Sequence, residues 1–182
     1  DPEAYTLYLQ GRHFSSQGST EGYQKAIGLL EQSLDIDQHY APAWSELHRV
    51  YANQVSFRQL DPTEGNKKAR EALDKALELD PEDAIAHSRL GWFKMNAEGD
   101  LAGAAKQFEH ALTLESGNAI VLANAAILLK ALGRLEQAIA LEELSRQRDP
   151  LNPTSSWNLA GTYLLNRQFD KAEAAYRNVL LL

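Results

Sequence analysis

Between Ala119 and Asn152 the chain reads AIVLANAAILLKALGRLEQAIALEELSRQRDPLN: two amphipathic helical patterns, parted by Gly133 and closed by Asp149-Pro150. A unit of the same kind recurs along the chain with a period of about 34 residues, the signature of a helical repeat array. That period constrains the fold strongly. One helix pair cannot bury its own apolar face, so neighbouring pairs must stack. The expected fold class is all-α, with about ten helices in antiparallel pairs.

The units follow in order. The first, approximately 4–40, opens AYTLYLQGRHF, with Leu7, Gln10, Gly11 and Phe14 at helical spacing. A polar break from Ser15 to Gly22 precedes a second helix with Ala26, Ile27, Leu30 and Leu34 on one face. The second unit, 41–83, carries Trp44, Leu47 and Tyr51, then Ala69, Leu73, Ala76 and Pro81. Pro42 suits a first turn, where its missing N–H costs nothing. Trp44 to Ala69 spans 25 residues against 16 from Leu122 to Ala138. About nine residues are therefore inserted around Val55 to Gly65, as a loop or an extended helix end. The third unit, 84–118, holds Leu90-Gly91, Ala104, Phe108 and Ala111, with Ser116 in place of proline. The fourth is 119–152. The fifth, 153–182, carries Leu159, Ala160, Tyr163, Phe169, Ala172 and Tyr176 and ends on Leu180-Leu181-Leu182.

These five units in register resemble the tetratricopeptide repeat family over essentially the whole chain. The resemblance implies one domain, a right-handed superhelix in which first helices line a concave groove and second helices form the convex back. Small residues (Gly11, Gly91, Ala126, Ala160, and Ala26, Ala69, Ala104, Ala138, Ala172) let paired helices approach. Larger groups such as Phe14, Tyr51, Leu129, Tyr163, Phe108 and Tyr176 fill the space beside them. Gln10, His48, Gln38 and Ser116 depart from the pattern. Asp1 is not a natural start, so the chain reads as a fragment of a longer protein. Terminal repeats usually need a polar cap, and none follows Leu180-Leu181-Leu182. The expected cover is more of the array, a second copy or a missing tail.

Several function classes fall away. Cysteine is absent, which removes disulfides and thiolate metal sites and suits the cytosol or an exported protein without bridges. The longest apolar run, Ala119 to Leu129, is interrupted by Asn124 and too short for membrane insertion. A net charge of −7 disfavours direct nucleic-acid binding. His13, His39, His48, His87 and His110 fall on different units without metal-ligand spacing and read as exposed or interhelical. Adjacent Glu142 and Glu143 do not share a helix face and read as solvated. No nucleophile elbow, phosphate loop or dinucleotide fingerprint is present. Proline disqualifies Asn152-Pro153-Thr154 as a glycosylation site. The chain is expected to be non-catalytic, with no cofactor and no metal.

What remains is the surface. Carried over from the family, one groove column holds Tyr8, Ser45, Ser88, Ala123 and Trp157, and the next Leu9, Glu46, Arg89, Asn124 and Asn158. A third holds Arg12, Arg49, Trp92, Ile127 and Gly161, and a fourth Ser15, Ala52, Met95, Lys130 and Leu164, beside Asn53 and Asn96. First helices carry Arg12, Arg49, Arg89, Lys94 and Lys130 against few acids, chiefly Glu46 and Glu98. An acidic protein is thus expected to hold a modestly basic, aromatic inner face, a composition typical of binding hot spots. The expected partner is a protein or peptide, held by Tyr8, Arg12, Arg49, Arg89, Trp92, Asn96, Asn124, Lys130, Trp157 and Asn158. The carboxylate-gripping set of some tetratricopeptide domains is incomplete, because Tyr8, Ser45, Arg12 and Arg49 stand where Lys and Asn are needed. The opening unit and a half is also similar to repeat regions of bacterial multidomain regulators with winged-helix or nucleotide-cyclase modules. That similarity implies an interaction or sensing arm. The alternative is a structural or self-associating segment that uses the C-terminal end.

Overall fold

The computed structural model describes residues 1–180; Leu181 and Leu182, part of the end expected to need covering, lie outside them. Ten α-helices and no strand occur among the described residues. They are α1 (Pro2–Ser16), α2 (Thr20–Ile36), α3 (Ala41–Ser56), α4 (Pro62–Leu79), α5 (Ala84–Phe93), α6 (Leu101–Leu114), α7 (Ala119–Ala131), α8 (Leu135–Arg148), α9 (Pro153–Leu165) and α10 (Phe169–Val179). A π-helical turn, Lys94–Glu98, continues α5. The all-α expectation holds. The polar break expected from Ser15 to Gly22 is shorter than anticipated, because Ser15 is buried inside α1 and α2 starts at Thr20.

Local chemistry sets the helix starts. Asp1, Ser19, Asp61, Asp100, Asn118 and Asn152 each accept hydrogen bonds from backbone N–H groups of the first turn. Asp83 does the same at the start of α5. These side chains satisfy donors that the helix itself leaves unpaired. The turns inside the pairs share a second device, a residue in the left-handed region: Gly18, Arg58, Gly99, Gly133 and Arg167. Glycine takes that conformation freely, whereas the two arginines bear some strain.

The chain forms two compact units, 1–86 and 87–182. In the first, α1 packs on α2, α3 on α4, and α2 on α3. Its core gathers Tyr23, Leu30, Leu34, Leu47 and Val50, rimmed by Tyr8, Phe14, Tyr40, Trp44 and Tyr51. In the second, α7 packs on α8, α9 on α10, α6 on α7, and α8 on α9. One cluster there joins Ala104, Phe108, Ala125 and Leu128, with Trp92 and Met95 against it. Another joins Ile139, Leu159, Ala160, Tyr163, Ala172 and Ala175, with Tyr176 at its edge.

The insertion expected near Val55 to Gly65 is divided three ways. Against α7 and α8, α3 is three residues longer and α4 four, and the connection between them is two longer. Together these make the nine residues. Phe57 at the tip is 63% exposed, while Gly65 passes under Val55 and Leu60.

Close helix approach makes two glycines sensitive in opposite directions. A Cβ at Gly91 would meet ring carbons of Phe108 at 2.9 to 3.0 Å, whereas one at Gly28 in α2 would meet nothing within 4 Å. Gly91→Ala is therefore expected to destabilise the protein by about 1–3 kcal/mol through overpacking. Gly28→Ala is expected to stabilise it by about 1 kcal/mol through helix propensity. Urea denaturation followed by far-UV circular dichroism measures both.

Candidate functional site

In the first unit, the sequence-predicted residues Tyr8, Arg12 and Arg49 lie on α1 and α3. Tyr8 stands edge-on to Tyr40, with ring centroids 5.3 Å apart, and the Arg12 guanidinium lies 5.6 Å from the Tyr8 ring centre. Arg12 is exposed. Arg49 is tied down: its Nε donates to Glu46 Oε2 at 3.0 Å, and its Nη2 contacts Glu46 Oε1 and Ser15 Oγ. Ser15 in turn donates to Glu46 Oε1 at 2.7 Å. Glu46 is buried, so a buried carboxylate neutralises this cation.

Two more of the cations expected to make the inner face basic are also paired with carboxylates. Lys94 reaches Glu98 and Asp100, both at 3.3 Å. Lys130 Nζ donates to Glu142 Oε1 at 2.8 Å, and Glu142 is 2% exposed, with its Oε2 lacking any hydrogen-bond partner. The expectation that Glu142 and Glu143 are solvated is therefore wrong. Burial beside Lys130 holds Glu142, and the Tyr163 hydroxyl donates to Glu143. Adjacent helix positions point apart, so each glutamate finds a different neighbouring helix. The histidines are interhelical in part: His48 is buried with Nδ1 3.0 Å from the Ala69 carbonyl, and His87 bonds Gln107 and stands edge-on to His110. His48 must carry its hydrogen on Nδ1 to make that bond. No group of three or more metal-ligating side chains occurs among the described residues.

One open cavity of about 520 Å³ gathers residues from three first helices, wholly within the second unit. Met95 and Asn96 come from the π turn after α5, and Ile127, Lys130 and Ala131 from α7. Trp157, Asn158, Gly161, Thr162 and Leu165 come from α9. Four sequence-predicted residues (Asn96, Lys130, Trp157 and Asn158) are thus brought together. The Trp157 ring is 58% exposed and packs edge-on against Tyr176, with centroids 5.0 Å apart. The other predicted residues of this unit do not line the cavity. Arg89 is half-buried on α5, Trp92 packs on the Phe108 cluster, and Asn124 donates to Ser88 Oγ at 2.9 Å. Ala131, Thr162 and Leu165 line it without having been singled out in the sequence.

The π turn explains how Met95 and Asn96 reach this wall. From the small residue of the first helix to the left-handed turn residue is seven positions for Gly11 to Gly18, Ala126 to Gly133 and Ala160 to Arg167. It is eight for Gly91 to Gly99. The extra residue is absorbed inside the helix, where the Gly99 and Asp100 N–H groups both donate to the Lys94 carbonyl. Such π bulges are rare and often mark functional positions. The signal was present in the sequence as one surplus residue in the third unit.

Comparison with known proteins identifies the repeats. Models described as tetratricopeptide repeat match residues 95–142 and 123–180. Residues 95–180 carry tetratricopeptide repeats. No curated protein sequence matches it. Among solved structures, a thermophilic tetratricopeptide repeat protein of Thermus thermophilus shares the fold with a TM-score of 0.78 and 18% identity, over 97% of this chain and 90% of that one. PilW, a widely conserved type IV pilus biogenesis factor, gives 0.71 and 21%, over 98% and 78%. YrrB, a tetratricopeptide protein with an unusual peptide-binding site, gives 0.53 and 19%, over 96% and 83%. At these identities the likeness is one of fold. Tetratricopeptide repeats are protein-interaction modules and generally non-catalytic scaffolds, and no helix among the described residues is long and apolar enough to cross a membrane. The likeness to bacterial multidomain regulators finds no counterpart among these comparisons.

Burial makes Arg12 and Arg49 unequal. Arg49→Glu would set two carboxylates against each other, one of them buried, and is expected to cost about 3–5 kcal/mol of stability. Arg12→Glu, on the exposed surface, is expected to cost about 1 kcal/mol or less. Urea titrations of the two variants compare them. The Tyr163 hydroxyl is pushed up to about 12 from 10.0, first by burial and then by its bond to Glu143. Between those values the folded chain keeps a proton that the unfolded chain has lost, so stability present below pH 10 falls as pH rises towards 12. Unfolding midpoints at pH 9 and 11.5 are expected to differ less in Tyr163→Phe than in the wild type, by on the order of 1–2 kcal/mol.

Proposed function

We propose that this chain is a non-catalytic protein-interaction module that binds an extended segment of a partner protein, and that the first-helix face of its second unit is the contact surface. The cavity across α5, α7 and α9 carries this reading. It is open, it presents the half-exposed Trp157, and its lining includes Asn96 and Asn158. Interfaces draw most of their energy from aromatic anchors with polar groups around them, and asparagine can both donate to and accept from a peptide backbone. A peptide-binding site on YrrB, which shares the fold, is in keeping with this reading. Because the ligand must be ordered on binding, the expected affinity is roughly micromolar.

The resemblance of the opening unit and a half to regulator repeats suggests a setting, the interaction arm of a larger bacterial protein. A second reading, self-association, is favoured by the exposed Leu164, Leu165 and Phe169 in the last helix pair. Sedimentation over a range of concentrations separates the two: a rising mass favours self-association, and a constant monomer favours ligand binding. For the binding reading, peptides selected from a random heptapeptide library are titrated into isotope-labelled protein. Amide shifts are expected to concentrate on the exposed faces of α5, α7 and α9. Shifts confined to α6, α8 and α10, or a library that yields no binder, would sink it.

A further inference from the structure

The cavity in the second unit owes its depth to two departures from the repeat pattern. The column that runs through the first helices holds Arg12, Arg49, Trp92 and Ile127, and then Gly161. Four repeats place a large side chain there and the fifth places none. Packing does not demand this, since a Cβ at Gly161 would meet only Tyr176 Oη, at 3.7 Å, an ordinary contact. The space is open because the side chain is missing, not because a neighbour fills it. On the opposite wall, the surplus residue in α5 brings Met95 to the cavity.

The remaining walls decide what fits. Trp157, Ile127, Met95 and Leu165 are apolar. Lys130 is the sole charged residue of the lining, and its ammonium is matched by the buried Glu142 carboxylate. A charged occupant would find no free counter-charge there. An aromatic ring would find the exposed Trp157 ring for edge or offset stacking and the Met95 thioether for a sulfur–aromatic contact.

We infer that this cavity receives one aromatic side chain from an uncharged stretch of partner peptide, with Gly161 as the residue that sets this specificity. The inference rests on the reading of this face as the peptide-binding surface. Thr162 Oγ1 is occupied by the Asn158 carbonyl, and Asn96 Nδ2 by the Trp92 carbonyl. Asn158 lines the same cavity, and its side-chain amide is of the kind that both donates to and accepts from a peptide backbone.

The test selects binders from a random heptapeptide phage library on the full chain, then measures synthetic peptides that differ only at the enriched position. Phe, Tyr or Trp is expected at one position of the recovered clones. Replacing it by Ala is expected to weaken binding to the wild type by about tenfold or more, the loss of one anchor side chain. Gly161→Leu, which raises helix propensity and meets no core atom at its Cβ, is expected to weaken the aromatic peptides by a similar factor. The Ala peptides should bind both proteins alike. Circular dichroism confirms equal helicity, and Gly161→Ala serves as a milder variant if Gly161→Leu proves less helical. Binders that shift α5, α7 and α9 amides but carry no aromatic residue, or bind Gly161→Leu as tightly, overturn this inference alone. An acidic residue at the enriched position overturns it too. A library with no binder on that face overturns both this inference and the interaction reading beneath it.

Discussion

Close approach of two helices within each pair is the constraint on which everything else rests. It is made by a small residue on the second helix, Ala26, Ala69, Ala104, Ala138 or Ala172, each at or near complete burial. Opposite stand Gly11, Gly91, Ala126 and Ala160, and the tolerance is narrow where the neighbour is a Leu30 or Phe108 side chain. In the second pair the opposing residue is His48, which would be too large for simple packing. It solves the problem by bonding the Ala69 carbonyl directly. A buried imidazole is acceptable there because a hydrogen bond replaces the water it loses. Serine uses the same strategy near the far end of the second helix. Ser33 and Ser145 donate to the carbonyls of Ala4 and Ala119, whereas Ala76 and Ala111 simply pack at the same repeat position.

Once the backbones are that close, long side chains near the seam have little choice of partner. This converts an apparent excess of positive charge on the first helices into internal ion pairs. Arg49 and Lys130 each face a buried glutamate, and breaking either pair would leave a charge in a poorly solvated place. Their cationic character is therefore part of the scaffold. What the face would offer the proposed ligand is shape, aromatic surface and amide groups. Long-range attraction for an acidic partner is weak by comparison.

The fold was legible in the sequence because it depends on residue size at a fixed period, and size is read directly from residue type. Helix number, the small-residue contacts and the length of the insertion near Phe57 all follow from that register. The proposed binding face was legible only in part. A column assignment places Trp157, Asn158 and Lys130 on one side of their helices, but it cannot show that Lys130 meets Glu142, which lies on another helix at the end of a flexible side chain. The adjacency rule separated Glu142 from Glu143 correctly and still misjudged their exposure, because burial depends on the neighbouring helix. The third unit's surplus residue was countable. Whether it would lengthen the turn or enter the helix as a π turn was settled by competition between backbone hydrogen bonds, which residue types do not record.

Specificity in a repeat protein has to come from such irregularities. Identical repeats would present identical columns, and a ligand could then slide from one to the next at little cost. Here α9 lacks a side chain where α5 and α7 present Trp92 and Ile127, and α5 carries one residue more than the pattern before its turn. Both departures open on the same cavity, and the packing of its own helix pair does not require Gly161. Gly161 gives up helix propensity without relieving a clash, and the π turn, which also packs Met95 on the Phe108 cluster, replaces regular helical hydrogen bonds with a rarer pattern. Two local irregularities that converge on one surface, one of them without structural return in the helix that bears it, are what a site selected for its shape would leave in a fold otherwise governed by regular packing.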